Sequence, residues 1–251
     1  VAQTPPAETA KRLSLLDKDA LREALDDLAA AAPERFADAD ALRQQVRAIP
    51  DLKPLAARLQ QGDPAAVGEA DAILALQRRI LLANPLLDFD RIIARKTDKP
   101  GLPANYHSNS SIPKTGYHNE IIGFSIHGKT PDETVFVPEK TRFAGDFCLH
   151  FDADRMLFSM PNDRDWQVFE IRLDGSGLRQ VSPDIRPGIG NYDACYLPNG
   201  DFLFTSTLPL VSVPCVAGGA HAANLVRLSQ DGSVRQLCFD QEHNWCPRVL
   251  A

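Results

Sequence analysis

One stretch of the chain is repeated, and that repeat limits the fold more than any other feature. The first copy reads LHFDADRMLFS over residues 149–159, WQVFEI over 166–171 and DGSGLRQV over 174–181. The second reads CYLPNGDFLFT over 195–205, NLVRL over 224–228 and DGSVRQL over 231–237, and a third opens with Arg248, Val249 and Leu250. Leu157 and Leu203 stand 46 residues apart and Arg179 and Arg235 stand 56 apart, the spacing of propeller blades in which one loop is enlarged. The Asp-Gly and Asn-Gly pairs supply the positive φ that tight hairpins need, and the alternating apolar residues between them give each strand a face for the next blade. A blade buries its faces only by stacking on others. Two blades and a fraction do not close a ring, so the expectation is an open sheet face and partner blades supplied by a longer parent chain or a partner subunit.

Ahead of the repeats the periodicity is helical. Residues 1–12 are expected to be a disordered leader and residues 13–84 a small α-helical domain. Leu15, Leu16, Leu21, Ala24, Leu25 and Leu28 recur at helical steps behind a cap at Asp17 or Asp19. A second helix follows Asp38 or Asp40, and a third spans Leu52 to Leu59. The fourth opens on the pair Asp63-Pro64, carries Val67, Ala70, Ile73, Leu74, Leu76, Ile80 and Leu81 on its apolar stripe, and stops at Asn84-Pro85. Beyond Pro85 the pattern turns to β structure. Leu87, Phe89, Ile92 and Ile93 make a short strand, 95–101 a turn, and Glu120–Ser125 and Thr134–Val137 further strands. The predicted fold class is therefore mainly β: a partial β-propeller of four-stranded blades preceded by a small α-helical N-terminal domain. The propeller portion is 85–251, with an irregular first blade over 85–143, repeats over 144–190 and 191–242, and a truncated blade over 243–251.

A net charge of −6 and a pI near 5.5 speak against nucleic acid or an anionic membrane as partner, since either calls for a clustered basic face. No apolar run approaches the ~20 residues needed to span a bilayer. The opening Val1-Ala2-Gln3-Thr4-Pro5-Pro6 resembles the end of a signal-peptide cleavage site followed by a Pro-rich mature terminus, which predicts a periplasmic or otherwise exported bacterial protein. The five cysteines, Cys148, Cys195, Cys215, Cys238 and Cys246, form no C-x-x-C and no C-x-x-C-H, so the zinc-knuckle and haem-attachment spacings are absent. Their odd number leaves at least one free thiol.

Six segments carry a family resemblance: LANPLLDFD at 82–90, NSSIPKTGYHNEI at 109–121, HFDAD at 150–154, NYDACYLP at 191–198, VPCV at 213–216 and HNWCP at 243–247. Together they resemble the hydrazine synthase α-subunit-like family, exported bacterial proteins with TolB-like and WD40-like propeller repeats, over about Leu82 to the last residue. The resemblance implies the fold and export. The family's named member contributes to a c-haem enzyme, whereas this sequence contains no haem-attachment motif.

The residues that can carry chemistry are scattered. His107, His118, His150, His221 and His243 fall in loops or at blade edges, with Asp146, Asp152, Asp193, Asp240 and Glu120 as available partners and no H-x-x-x-H or H-E-x-x-H spacing. Histidine at a blade edge more often serves as a structural hydrogen-bonding residue. If a metal ion binds, the expected ligands are His150, Asp193, His243 and Cys246, because the inner ends of blades bring distant segments together. No other cofactor is evident. The segment 101–119, rich in Asn, Ser, Tyr and His, is long for a connection and reads as a ligand-binding loop for a small molecule, with His107, Asn109, Tyr117, His118 and Glu120 as its contacts. Cys215 with His221 is a conceivable nucleophile and base, although that segment reads more simply as an enlarged blade loop. Gly218-Gly219 lacks the rest of a phosphate-binding loop. No catalytic constellation emerges, so a ligand- or partner-binding scaffold module is the leading expectation. The alternative is a fragment of a periplasmic haem- or metal-dependent redox enzyme whose catalytic centre is expected in a further C-terminal part of the parent protein.

Overall fold

The computed structural model describes residues 5–98, 113–213 and 220–250. The chain divides into two compact units, 1–90 and 91–251.

The first unit is helical: α1 (Pro6–Ser14), α2 (Lys18–Ala31), α3 (Ala39–Ala48), α4 (Leu52–Gln60) and α5 (Pro64–Leu82). The expected leader over 1–12 is replaced from Pro6 onward by α1, which Pro6 starts without loss of a helical hydrogen bond and which Leu13, 1% exposed, anchors. The helix expected to run on from Leu13 is two helices. The Asp17 carboxylate accepts from the backbone N–H of Asp19 at 2.9 Å and of Ala20 at 3.0 Å, so a new helix begins there. The break sends Leu13 into a core with Leu55, Leu59, Val67 and Ala70, and Leu21 and Leu25 into another with Phe36, Leu42, Val46 and Ile80. Asp51 and Asp63 cap α4 and α5 in the same way as Asp17. Among the described residues no helix is long and apolar enough to cross a membrane.

Among the described residues the second unit contains eleven strands in three antiparallel sheets. The first sheet is β1 (Arg91–Thr97), β2 (Asn119–Ser125) and β3 (Glu133–Phe136). The second is β4 (Gly145–Leu149), β5 (Arg155–Pro161), β6 (Trp166–Arg172) and β7 (Arg179–Gln180). The third is β8 (Asn191–Tyr196), β9 (Phe202–Ser206), β10 (Asn224–Leu228) and β11 (Val234–Gln236). Each is a meander in which neighbours in sequence pair, with β8 packed across β4, β5 and β6. These are partial propeller blades: the two repeats form the four-stranded sheets and the irregular region forms the three-stranded one.

The period of two along the strands explains the packing. In β5, Met156, Phe158 and Met160 face a core shared with Ile121 and Val135 of the first sheet, whereas Leu157 faces a core shared with Ala194, Tyr196, Phe204 and Val226 of the third. In β6, Phe169 and Ile171 point one way and Val168 the other. The middle sheet is covered on both faces, so β5 and β6 are buried along nearly their whole length.

One strand lies later than its sequence suggests. Pro85–Leu87 forms a 3-10 turn capped by Asn84, and the strand occupies Arg91–Thr97, so Arg95, Lys96 and Thr97 belong to a strand rather than to a turn. Their register against Ile121, Glu120 and Asn119 explains this: the Lys96 ammonium meets the Glu120 carboxylate at 3.0 Å, a cross-strand ion pair that holds a polar segment in the sheet.

Candidate functional site

The leading strands of the three sheets and the segment that follows β11 each bring one side chain to a common polar cluster. Arg95 comes from β1, Asp146 from β4, Asp193 from β8 and Cys246 from beyond β11. The backbone explains how the two carboxyls arrive there. The pairing of β4 with β5 shifts between Gly145, opposite Ser159, and Cys148, opposite Leu157. The pairing of β8 with β9 shifts in the same way between Tyr192, opposite Thr205, and Cys195, opposite Leu203. Each shift admits one extra residue, a bulge, which re-aims a side chain. Asp146 and Asp193 lie within these bulges with φ of 58° and 52°, and Cys246 has φ of 41°. That left-handed region is uncommon for side-chain-bearing residues and is tolerated best by Asn and Asp.

Asp193 is 2% exposed. Its backbone N–H donates to the Ser159 hydroxyl at 3.1 Å, and its carboxylate accepts from the backbone N–H of Cys246 at 3.5 Å. Asp146 hydrogen-bonds to both Ser159 and Asp193. Burial, and then the charge of Asp193, push the Asp146 carboxyl up to about 7, against the opposing effects of the Ser159 hydrogen bond and the Arg95 charge. Burial followed by Asp193 and Asp146 likewise raises the Cys246 thiol, with Arg248 opposing. Burial pushes Cys195 up to about 11, with Cys148 adding to the shift. These thiols stay protonated at neutral pH, which is the opposite of what a nucleophilic cysteine needs.

A row of aromatic rings runs beside the cluster. The Arg95 guanidinium lies 4.5 Å from the centroid of Phe143. Phe143 meets Tyr117 and Trp166 edge-on at 5.4 Å, and Trp166 meets Tyr192 at 6.3 Å. Gly145 is required by this packing, because a Cβ there would stand 2.7 Å from the Phe143 ring. Two neighbouring carboxyls next to a guanidinium present donors and acceptors together and suit a polar or cationic group.

The expected metal ligands do not form one set. Asp193 and Cys246 are neighbours, as described. His243 accepts through Nδ1 from the backbone N–H of Ala223 at 3.0 Å and packs against Trp245 at 5.5 Å. His150 lies in the β4–β5 hairpin, where its Nδ1 accepts from the backbone N–H of Asp152 at 3.1 Å. Among the described residues, the group whose ligand atoms lie within 4.8 Å of one another is His150, Asp152 and Asp154. Arg155 donates to Asp154 at 2.8 Å and stands 2.5 Å from His150 Nε2, so a cation there would have to displace a guanidinium.

Of the expected loop contacts, His107 and Asn109 lie outside the described residues, as does Cys215. Tyr117 is half-buried against Phe143, His118 is exposed and its carbonyl accepts from the N–H of Asp98, and Glu120 is in β2 rather than in the loop. Lys96, and then the Thr134 hydroxyl, hold the Glu120 carboxyl below its usual range, which suits a cross-strand ion pair better than a ligand contact. His221 forms an isolated bridge with Ser212. Cys148, Cys195, Cys238 and Cys246 are free thiols. Arg95 and Ser159 escaped the sequence reading, and Asp146 entered it only as a generic partner. A usable signal exists in the D-x-C shared by Asp146-Phe147-Cys148 and Asp193-Ala194-Cys195.

No protein-family model matches this chain, and no curated protein does. Among solved structures, TolB from Agrobacterium tumefaciens is similar, with 16% identity over 51% of this chain and 41% of that one and a TM-score of 0.38. TolB from Acinetobacter baumannii has 16% identity over 72% of this chain and 50% of its own, with a TM-score of 0.30. Oligogalacturonate lyase in complex with manganese has 13% identity over 60% of this chain and 39% of its own, with a TM-score of 0.39. The chain thus spans half or less of the length of each of these proteins.

Proposed function

We propose that this chain is a ligand- or partner-binding module of an exported, periplasmic β-propeller protein. In this reading it resembles the middle domain of the hydrazine synthase α subunit without the haem motif. The observation that carries the proposal is the convergence of Arg95, Asp146, Asp193 and Cys246 from the leading strands of the three sheets and the segment after β11. Buried polar groups that no blade needs for stacking are costly to keep and cluster where proteins bind. Apolar side chains after β11, with Phe239 82% exposed, favour further blades or a partner subunit as the macromolecular partner. The cluster favours a small polar or cationic molecule as the ligand.

The test is to express the protein with export to the periplasm, measure its metal and haem content by elemental analysis and absorption spectroscopy, and then screen small polar and cationic molecules by thermal shift. The expected result is a colourless protein whose melting temperature rises with particular cationic or hydrogen-bonding compounds, with the rise lost in Asp193→Asn. A haem band or stoichiometric metal that survives in Asp193→Asn would overturn the binding-module reading in favour of a redox enzyme. Loss of that metal in Asp152→Asn would place it at the β4–β5 hairpin.

A further inference from the structure

The far face of the third sheet repeats a face that the middle sheet buries. In the middle sheet Leu157 pairs with Cys148 on one side and Glu170 on the other, Ser159 pairs with Val168, and the Val181 N–H donates to the Val168 carbonyl at 2.8 Å. The third sheet has the same lattice: Leu203 pairs with Cys195 and with Arg227, Thr205 pairs with Leu225, and the Leu237 N–H donates to the Leu225 carbonyl at 2.8 Å. Leu203, Leu225, Leu237 and Arg227 therefore hold the positions of Leu157, Val168, Val181 and Glu170. In the middle sheet that face is closed, because Leu157 and Val168 are 0% exposed and pack, with Val181, against Ala194, Tyr196, Phe204 and Val226 of the third sheet. In the third sheet Phe204, Val226, Leu228 and Val234 fill this shared core, so the strand alternation points Leu203, Leu225, Arg227 and Arg235 the other way. On that side Leu203 and Leu225 are half-buried and Leu237 is 45% exposed.

Charge separates the two faces. Glu170 pairs cross-strand with Arg179 and accepts the Tyr196 hydroxyl from the neighbouring sheet at 3.0 Å. At the equivalent place Arg227 stands opposite Arg235, and like charges in that arrangement repel. Arg227 donates to Asp201 at 2.6 Å, whereas Arg235 has no ion-pair partner among the described residues. A carboxylate on whatever covers the face would offset this surplus. A second copy turned onto the same face would set arginine against arginine, which disfavours it. Both sheet-on-sheet contacts already formed, first to middle and middle to third, join sheets that follow one another in the chain.

We propose that this face seats a further blade of the same polypeptide, one that brings an apolar sheet face to Leu203, Leu225 and Leu237 and a carboxylate to Arg227 and Arg235. The inference rests on the propeller-module reading and narrows its macromolecular partner to a blade with an acidic residue where the third sheet carries Tyr196. It is independent of the ligand at Asp193.

The experiment is hydroxyl-radical footprinting, read by mass spectrometry, of the complete polypeptide that contains residues 1–251. Buried Leu157 and the exposed Leu15 and Leu86 serve as internal standards. Leu237 is expected to be oxidised as slowly as Leu157. Oxidation of Leu237 as fast as Leu15 and Leu86, or protection that appears only with rising protein concentration or an added protein, would overturn the proposal. The charge is tested by urea midpoints of the same polypeptide. Arg235→Glu should lower the midpoint and Arg235→Lys should leave it in place; equal midpoints for the native protein and both variants would remove the carboxylate from the proposal. In residues 1–251 alone, where the face is open, Arg235→Glu should instead raise the midpoint, because it ends the repulsion with Arg227. Ligand-induced thermal shifts are read separately, so failure of the docking face and failure of the ligand site are told apart.

Discussion

Tyr196 shows how much a single hydroxyl can contribute where two blades meet. It lies at the end of β8, 4% exposed, and its Oη donates to Glu170 of β6 at 3.0 Å. Glu170 is itself buried and accepts from Arg179 of β7 at 2.8 Å. Burial, and then the Glu170 charge, push the Tyr196 phenol above its usual range, so it remains a donor throughout the physiological span. Tyr196→Phe keeps the ring packing against His150 and Phe202 but leaves one oxygen of a buried carboxylate with a partner fewer. The expected cost is about 1–3 kcal/mol of unfolding free energy in urea denaturation. A loss within experimental error would mean that Arg179 and Arg155 satisfy Glu170 without the phenol.

At the scale of the element, the two repeats place different residues in the same hairpin. His150-Phe151-Asp152-Ala153-Asp154 in the first corresponds to Leu197-Pro198-Asn199-Gly200-Asp201 in the second, and the fourth position has a positive φ in both, 54° for Ala153 and 85° for Gly200. Glycine adopts that conformation freely and alanine does not. Ala153→Gly should therefore stabilise the protein by up to about 1 kcal/mol, read as a raised urea midpoint, whereas an unchanged or lowered midpoint would show that the hairpin carries no strain there. The hairpin was legible in the sequence because turn chemistry is local: Asn-Gly and Asp-Gly announce themselves within a few residues. The bulges at Asp146 and Asp193 were not, since a bulge is defined by the register of two strands and nothing local to β4 or β8 encodes the partner. The same reasoning covers Arg95. In isolation the segment 95–101 is a polar run ending in Pro-Gly, and only pairing with Ile121, Glu120 and Asn119 draws its first residues into a strand.

For the molecule as a whole, the repeats revealed the blades and the apolar periodicity revealed the helices, but assembly decided what those elements bring together. Asp193 and Cys246 were singled out from the expectation that inner ends converge, and the structure does make them neighbours. Among the described residues His150 and His243 do not join them in one ligand cluster; their Nδ1 atoms accept from the backbone N–H groups of Asp152 and Ala223. The division of the chain at Asp90 and Arg91 has a consequence of its own. Among the described residues both helical cores draw on residues between Ala10 and Ala83, and α5 joins them, contributing Ile80 to one and Ala66, Val67 and Ala70 to the other. A unit with its own cores and its own capping carboxylates needs no contact from the blades to be stable. Residues 1–90 produced alone should give a helical circular dichroism spectrum and a cooperative thermal transition. Leu25→Ala, at a fully buried position, should lower its stability by about 2–5 kcal/mol. A broad, non-cooperative melt of the isolated segment would mean that the helices depend on the rest of the chain, and the transition of the whole protein would then have to be treated as one cooperative event.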